Sequence, residues 1–213
     1  MDATDVTVTG VREVGPDTVA LDLDTPDGFS ARPGQFVKLS ASLDGEQESR
    51  FYTVSSPDTD GTFEVTVGVD PEGTLAPWLA ERVAGDTVTV VGPYGDAFYD
   101  GEARVVVVAG GPGVGPAVGI AERALAAGNE AAVVYRDDAP VHEERLAALA
   151  AAGAEAYVLG ADDDLASAVA ATATGAPGEQ VFVYGFAAFL DAATAALDAA
   201  GVDPGDARTE NFG

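Results

Sequence analysis

A fixed cation, an aromatic ring and a hydroxyl group lie next to one another in the segment Arg50-Phe51-Tyr52-Thr53. On an extended strand, Arg50 and Tyr52 would point to one side, and Phe51 and Thr53 to the other. A guanidinium group binds phosphate in a bidentate manner, and an aromatic face packs against flat rings. The segment is therefore suited to a flat, anionic cofactor, although a half-buried strand without any ligand would use the same residue types.

Glycine-rich turns precede two predicted helices. Gly73 and Thr74 come before a short apolar helix that begins at Leu75. A longer loop follows the apolar run 105–109 and consists of Gly110, Gly111, Pro112, Gly113, Val114, Gly115 and Pro116. Backbone N–H groups at the start of a helix can hold a pyrophosphate, so both turns are candidate phosphate sites. Neither is specific alone, because the longer loop lacks G-x-G-x-x-G spacing, and plain turns remain the alternative.

Over the whole chain, seven short motifs follow one another in an order that resembles the ferredoxin-NAD(P)H reductase family of flavoproteins. They are PGQFV, RFYTVSS, GTLAPWL, VGPYGDAF, VVVVAGGPGVGP, VFVYGF and the terminal TENFG. The resemblance runs from Val6 to the last residue. It implies two domains: an FAD-binding antiparallel β-barrel over residues 1–100, and a NAD(P)-binding α/β domain with a doubly wound parallel sheet over residues 101–213.

The resemblance also implies roles for individual residues. Arg50 would bind the FAD pyrophosphate, Tyr52 would lie against the flavin ring, and Thr53 would bond the reactive flavin nitrogen. The other FAD-binding candidates of the barrel are Phe51, Gly73, Thr74 and Leu75, and the loop 110–116 would receive the nicotinamide pyrophosphate. Glu210 and Phe212 fall where the family's C-terminal Glu and aromatic residue approach the flavin. A frayed tail is the alternative for these last two.

Three positions depart from the family pattern. Ala76 and Pro112 stand where hydroxyl residues are usual, so two polar contacts to cofactors are missing. Tyr184-Gly185-Phe186 replaces the family's Cys-Gly-Pro beside the nicotinamide. This segment ends a predicted strand, where it can serve packing alone, or Tyr184 can be catalytic with Gly185 and Phe186 binding the nicotinamide. The loss of the Cys bears on hydride transfer more than on flavin binding.

Two adjacent residues give conflicting signals about the nucleotide. Arg136 could hold the 2′-phosphate of NADP(H), whereas Asp137 could accept from the ribose hydroxyls of NAD(H) and would repel that phosphate. The choice stays open, with a slight preference for NAD(H). The lone His142 opens a predicted helix among acidic residues, and we expect it to be solvated. The acidic run 162–164 is interpreted as a capped helix start and not as a cation site.

Acidic residues number 36 against 10 basic ones, which gives a formal net charge of -26. Such a surface repels nucleic acid and anionic membranes, so neither is an expected partner. The acids are spread along the chain, which predicts a protein of an extreme halophile, since molar salt shortens the Debye length to about 3 Å. An acidic docking face for a basic partner is the alternative. With 47% hydrophobic residues the chain should nonetheless fold.

The chain contains no cysteine, which excludes disulfides, thiolate zinc sites and an iron–sulfur cluster within it. No apolar run is long enough to span a membrane and no signal peptide is evident, so a cytoplasmic protein is expected. Six short β segments and one helix up to residue 92 predict a closed barrel. Alternating strands and helices from residue 105 predict the parallel sheet, with Pro116 opening a helix that extends through Ala127.

These observations predict an FAD-dependent oxidoreductase that transfers a hydride from NAD(P)H to FAD. Because the chain holds no iron–sulfur ligands, the electrons must pass to a separate acceptor, such as a ferredoxin or a partner subunit. Two alternatives remain. One is a flavin-binding subunit or sensor without nicotinamide activity, and the other is a free-flavin reductase that binds FAD only transiently.

Overall fold

The first half of the chain is an antiparallel six-stranded sheet. A computed structural model describes residues 2–213. The strands are β1 (Thr4–Gly15), β2 (Thr18–Asp24), β3 (Phe36–Leu43), β4 (Glu46–Thr53), β5 (Thr62–Gly68) and β6 (Thr87–Tyr94), and one helix, α1 (Leu75–Ala80), lies between β5 and β6. The strand order is β4-β3-β6-β1-β2-β5.

The two outer strands of this sheet meet and close it into a barrel. Just beyond β4, Val54 forms an isolated bridge with Val65 of β5, and Ser55 N donates to Glu64 O at 2.8 Å. Inward-facing apolar side chains fill the interior, among them Val8, Leu21 and Leu39. The predicted barrel is confirmed.

The second half is a parallel sheet covered by helices on both faces. Its elements are β7 (Arg104–Gly110), α2 (Val114–Ala126), β8 (Glu130–Arg136), α3 (Glu143–Ala151), β9 (Glu155–Leu159), α4 (Leu165–Thr172), β10 (Glu179–Gly185), α5 (Ala187–Ala199) and β11 (Arg208–Asn211). The order β11-β10-β7-β8-β9 places a topological switch point between β7 and β10. Helices α2 and α3 pack on one face, and α4 and α5 on the other. The predicted α/β fold class is confirmed.

Several boundaries differ from expectation. Gly111–Gly113 forms a 3₁₀ turn and α2 begins at Val114, so Pro116 is its third residue and not its first. Proline is tolerated there because the first four N–H groups of a helix have no partner within the helix. Asp164 caps α4 as predicted, accepting from Ser167 N at 3.1 Å. No strand or helix lies between Tyr94 and Arg104, and the predicted domain boundary at 100/101 falls there and stays a prediction.

Among residues 2–213, no helix is both long and apolar enough to cross a membrane.

Candidate functional site

A cavity of about 460 Å³ opens between the barrel and the parallel sheet. One wall belongs to the barrel and the other to the α/β half, beside the carboxyl ends of β7 and β10. Parallel α/β sheets bind their ligands at such a switch point. The lining residues are Phe36, Phe51, Tyr52, Thr53, Thr66 and Gly68 on the barrel side, and Pro112, Pro116, Phe186, Glu210, Asn211 and Phe212 opposite.

The end of β4 forms the centre of the barrel wall. Thr53 and Tyr52 are half-buried at the cavity, and the next residue, Val54, is fully buried in the barrel core. Burial raises the pKa of Tyr52 to about 12, which Arg50 partly opposes, so its hydroxyl stays protonated. Phe51 is exposed and contacts Phe36 edge-on at 5.5 Å between ring centroids.

Arg50 lies outside the cavity, with 65% of its side chain exposed. Its Nη1 donates to Ser49 O at 2.7 Å and lies 3.7 Å from the carboxylate of Glu48. Most of its hydrogen-bonding capacity therefore faces solvent, beside the cavity-lining end of the same strand.

The turn before α1 also lies away from the cavity lining. Gly73 N donates to Asp70 O at 2.9 Å, and Thr74 is the residue before the helix. The side chain of Leu75 is buried in the barrel core. As the first residue of the helix, Leu75 points its side chain inward, so only its backbone could contact a cofactor, and its cofactor-binding role stays a prediction.

The glycine loop is tightly packed, and its two prolines, Pro112 and Pro116, reach the cavity. A methyl group built on Gly113 would lie 2.3 Å from Tyr184 O, and one on Gly110 would lie 2.4 Å from the Phe189 ring. Val114 is fully buried, so its side chain cannot contact a ligand. Gly111 has a φ of 56°, in the left-handed region that glycine adopts readily. Packing alone thus requires glycine at two loop positions, whatever the loop binds.

The C-terminal residues form an ordered strand and not a frayed tail. In β11, Glu210 is paired with Tyr184 of β10, and Phe212 N donates to Gly185 O at 3.1 Å. Glu210 and Phe212 therefore reach the cavity, and Phe212 meets the exposed ring of Phe186 edge-on at 6.2 Å. Burial, with a smaller contribution from Asp96, raises the pKa of the Glu210 carboxyl.

Tyr184 points away from the cavity, so the expectation that it is catalytic is wrong. Its side chain is fully buried and its hydroxyl donates to Ala97 O. Burial raises its pKa well above the usual value. In a sheet covered on both faces, the neighbouring layer buries the side chains that point towards it. Here that layer includes the segment between β6 and β7, which carries Ala97. Gly185 is likewise packed, since a methyl group on it would lie 2.7 Å from the Phe189 ring.

Arg136 and Asp137 lie at the carboxyl end of β8, outside the cavity lining. The guanidinium carbon of Arg136 is 5.3 Å from the centroid of the Phe189 ring. Asp137 accepts from Ala139 N at 2.9 Å, and its Oδ2 would be 3.9 Å from a methyl group on Gly111. Both residues are therefore close to the glycine loop, and their positions favour neither nucleotide.

His142 is buried, so the expectation that it is solvated is wrong. Only 3% of it is exposed, its Nε2 lies 2.8 Å from Thr66 Oγ1, and its backbone N donates to Val14 O at 2.8 Å. A φ of 57° at the start of α3 accompanies this placement against the barrel. Desolvation, followed by Arg145, lowers its pKa to about 4, against a raising effect of Glu64. The imidazole is therefore neutral at pH 7.

Beside His142, six side chains form what we call the interdomain network: Arg12, Asp22, Ser55, Glu64, Glu122 and Arg145. Arg145 Nη1 donates to Glu64 Oε1 at 2.8 Å, and its Nε donates to Glu122 Oε1 at 2.8 Å. Glu64 also accepts from Ser55 Oγ at 2.6 Å and from Arg12. Sequence analysis missed this network, although a carboxylate among the apolar residues of β5 was an available signal.

The cavity fits the ring system of a flavin in size and in character. Its volume lies within the range of roughly 300–1,000 Å³ that is usual for small-molecule sites, and its lining is mostly aromatic and apolar with hydroxyl and carboxyl groups at Thr53, Thr66 and Glu210. The phosphates of a whole dinucleotide would have to lie outside it. Arg50 is exposed next to the barrel wall.

Comparisons with known proteins agree with this description. Residues 5–99 match the family described as oxidoreductase FAD-binding domain. The chain is 40% identical over 98 residues to the glycine betaine monooxygenase reductase subunit of Chromohalobacter salexigens, covering 44% of this chain and 26% of that protein. It is 29% identical over 154 residues to the toluate 1,2-dioxygenase electron transfer component of Pseudomonas putida, covering 68% and 45%. This chain therefore corresponds to less than half of either relative.

Among solved structures, the ferredoxin NADP+ reductase of Neisseria gonorrhoeae with bound FAD and NADP has a TM-score of 0.82 at 17% identity, covering all of both chains. At that identity the likeness concerns the fold. Together with the match over residues 5–99 and the reductase relatives, it shows that this chain is similar to ferredoxin reductase-like FAD-binding proteins and shares their two-domain fold.

Proposed function

We propose that this chain reduces FAD with NAD(P)H and passes the electrons to a separate acceptor. The observation that carries the proposal is the cavity itself, which joins the Thr53 end of β4 to the glycine loop at the switch point of the parallel sheet. Bound FAD would supply the redox chemistry, taking two electrons from a nicotinamide and releasing them to the acceptor.

The barrel residues would bind and orient the FAD. Tyr52 would present its neutral ring to the flavin, and the Thr53 hydroxyl would hydrogen-bond the ring edge. The exposed guanidinium of Arg50 would pair with the pyrophosphate, and Gly73 and Thr74 would offer further phosphate contacts. In a chain with a formal charge of -26, an exposed arginine beside the proposed phosphate position has particular weight.

The opposite wall would hold the nicotinamide nucleotide and exclude water. The 3₁₀ turn and the first residues of α2 supply N–H groups for its pyrophosphate, while the rings of Phe186 and Phe212 cover the cavity from the same side. Glu210 places a carboxyl group next to the cavity, and burial raises its pKa. Arg136 or Asp137 would select the nucleotide, with NAD(H) favoured slightly.

The names of the relatives support an acceptor on another protein. Both curated relatives are described as reductase or electron transfer components of oxygenases. We therefore propose a ferredoxin or a partner oxygenase subunit as the acceptor. We also propose that the chain works at high salt. It has 36 acidic residues and only 10 basic ones, so the acidic side chains repel one another unless ions screen their charges.

A visible spectrum in molar KCl, recorded before and after anaerobic addition of NADH and then NADPH, tests the proposal. We expect flavin bands that bleach with one of the two nucleotides, which also decides between Arg136 and Asp137. Bands that persist with both would refute the reductase and support a flavin-binding subunit, as the burial of Tyr184 in place of the family's Cys would allow. A colourless protein that turns over only with added flavin would indicate a free-flavin reductase.

A further inference from the structure

Arg145 joins three separate parts of the molecule through one guanidinium group. Its Nη1 donates to Glu64 Oε1 on β5 at 2.8 Å, and its Nη2 donates to Ser55 O at 2.7 Å. Its Nε and Nη2 bind both carboxylate oxygens of Glu122 on α2, at 2.8 and 2.7 Å. The fork geometry of arginine makes such multiple, directional contacts possible, and lysine could not reproduce them.

The network flanks a contact where α2 lies directly on the barrel. A methyl group built on Gly119 would be 2.9 Å from Ser55 O, and one on Gly115 would be 3.0 Å from Thr66 Oγ1. No side chain therefore separates the helix from the barrel at these two positions. Direct packing therefore limits how closely the two halves can approach here, and an attraction between the groups on either side holds α2 at that limit.

Without Arg145, those two carboxylates would repel each other across the interface. The side chain of Glu64 is 7% exposed and that of Arg145 is 19% exposed, so solvent screens their interaction only weakly. Arg12 also pairs with Glu64, but Arg12 is on β1, so both partners of this pair belong to the barrel half. Arg145 is thus the cation of the network that binds acidic partners in both halves.

Each residue that Arg145 contacts is on the same segment as a residue that lines the cavity. Ser55 lies two residues after Thr53, and Glu64 lies two residues before Thr66 on β5; Thr53 and Thr66 both line the cavity. Glu122 is on the helix that carries the lining residue Pro116. The network therefore lies behind both walls without entering the cavity.

We propose that Arg145 is a positioning residue that sets the separation of the two cavity walls, and with it the distance between the flavin and nicotinamide rings. The inference rests on the proposed function for its catalytic consequence, but its structural part does not. Since near-attack geometry requires reacting atoms to be about 3–3.5 Å apart, a shift of about 1 Å lowers a transfer rate by about 100-fold.

Two kinds of measurement test this in Arg145→Met. Because the chain has no cysteine, Gln47→Cys on β4 and Thr194→Cys on α5 provide two unique, exposed sites for spin labels. Pulsed spin resonance should show a broader or longer distance distribution between them in R145M than in the otherwise unchanged chain. In unlabelled protein, stopped-flow flavin reduction at saturating nucleotide should slow at least tenfold, while FAD content and the apparent Kd for the nucleotide change less than threefold.

Arg104→Met is the matched control. Its side chain is 16% exposed and binds Glu179, Glu155 and Thr172 O, all within the α/β half. R104M should lose stability yet keep the distance distribution and the reduction rate. If R145M does not fold, Glu122→Gln, which weakens only the contact on α2, should show the same changes to a smaller degree.

An R145M protein, or its E122Q substitute, that melts earlier but keeps the distance distribution and the rate would overturn the proposal, because Arg145 would then be an ordinary stabilising residue. A wild-type chain that reduces no flavin with either nucleotide would refute the proposed function, while the label distances would still decide whether Arg145 holds the walls.

Discussion

Replacing Glu64 by Gln should destabilise the protein through charge alone. Gln has almost the same shape as Glu and keeps one oxygen that can accept from Ser55 or Arg145. The replacement leaves Arg145 and Arg12 beside a neutral group. Breaking a buried ion pair by removing one partner usually costs about 3–5 kcal/mol of unfolding free energy.

The structure places this variant at the low end of that range. Arg145 keeps its two bonds to Glu122, at 2.8 and 2.7 Å. Arg12, with 49% of its side chain exposed and Asp22 at 3.7 Å, can remain solvated. We therefore expect a loss of about 3 kcal/mol. For a chain of this size, where 1 kcal/mol shifts the Tm by about 2–4 °C, the Tm should fall by about 6–12 °C.

Urea and thermal unfolding of E64Q and wild type at pH 7.5 in molar KCl measure this difference, with one probe for each half of the chain because two-state behaviour is not assured. Asp100→Asn is the control, since Asp100 and Arg32 form an ion pair in which both side chains are more than half exposed. D100N should stay within about 0.5 kcal/mol of wild type. If E64Q also stays within that margin, the charge interactions of Glu64 do not stabilise the fold as a buried ion pair does, and the reasoning is refuted.

Three further variants follow. His142→Asn tests pH dependence: the folded pKa of His142 is about 4 and the unfolded one 6.5, so the unfolded state binds more protons between those values. In urea titrations from pH 6.5 to 4, the stability of wild type should therefore drop by on the order of 2–3 kcal/mol more than that of H142N. Equal losses in the two proteins would contradict a buried neutral imidazole. Tyr184→Phe should cost about 1 kcal/mol through the lost bond to Ala97 O, with unchanged flavin reduction; a tenfold slower reduction would restore a catalytic role. Arg50→Ala should weaken FAD binding at least tenfold by fluorescence titration at an unchanged apoprotein Tm, and full flavin retention would remove Arg50 from the site.

Local patterns were sufficient to predict both sheets, and the uninterrupted apolar run 105–109 predicts a strand covered on both faces. The alternation expected along β4 is not seen, because Phe51, Tyr52 and Thr53 all line the cavity. The resemblance added Glu210 and Phe212, which no periodicity indicates. The strand β11, which carries Glu210 and ends one residue before Phe212, has only four residues, and its pairing with β10 depends on tertiary contact.

The errors arose where side-chain direction depends on a neighbouring layer. Tyr184 ends a strand at the right edge of the sheet, but whether its ring faces the cavity or the interior depends on the segment that carries Ala97. His142 has a polar, acidic sequence context, yet the packing of α3 against the barrel buries it. Glu64 and Arg145 are far apart in the chain, so only the three-dimensional contact between β5 and α3 shows that they are partners.

The position of β11 in the chain also bears on the order in which the site is made. Every strand of the barrel lies before residue 95, whereas Glu210, Asn211 and Phe212, which complete the opposite wall, are the last cavity residues to be synthesised. At about 5–20 residues per second, the stretch between them takes on the order of 6–24 s on the ribosome. During that interval the barrel side of the cavity is fully synthesised while the opposite wall is not, so a flavin that bound early would meet a barrel wall not yet covered by β11 and Phe212.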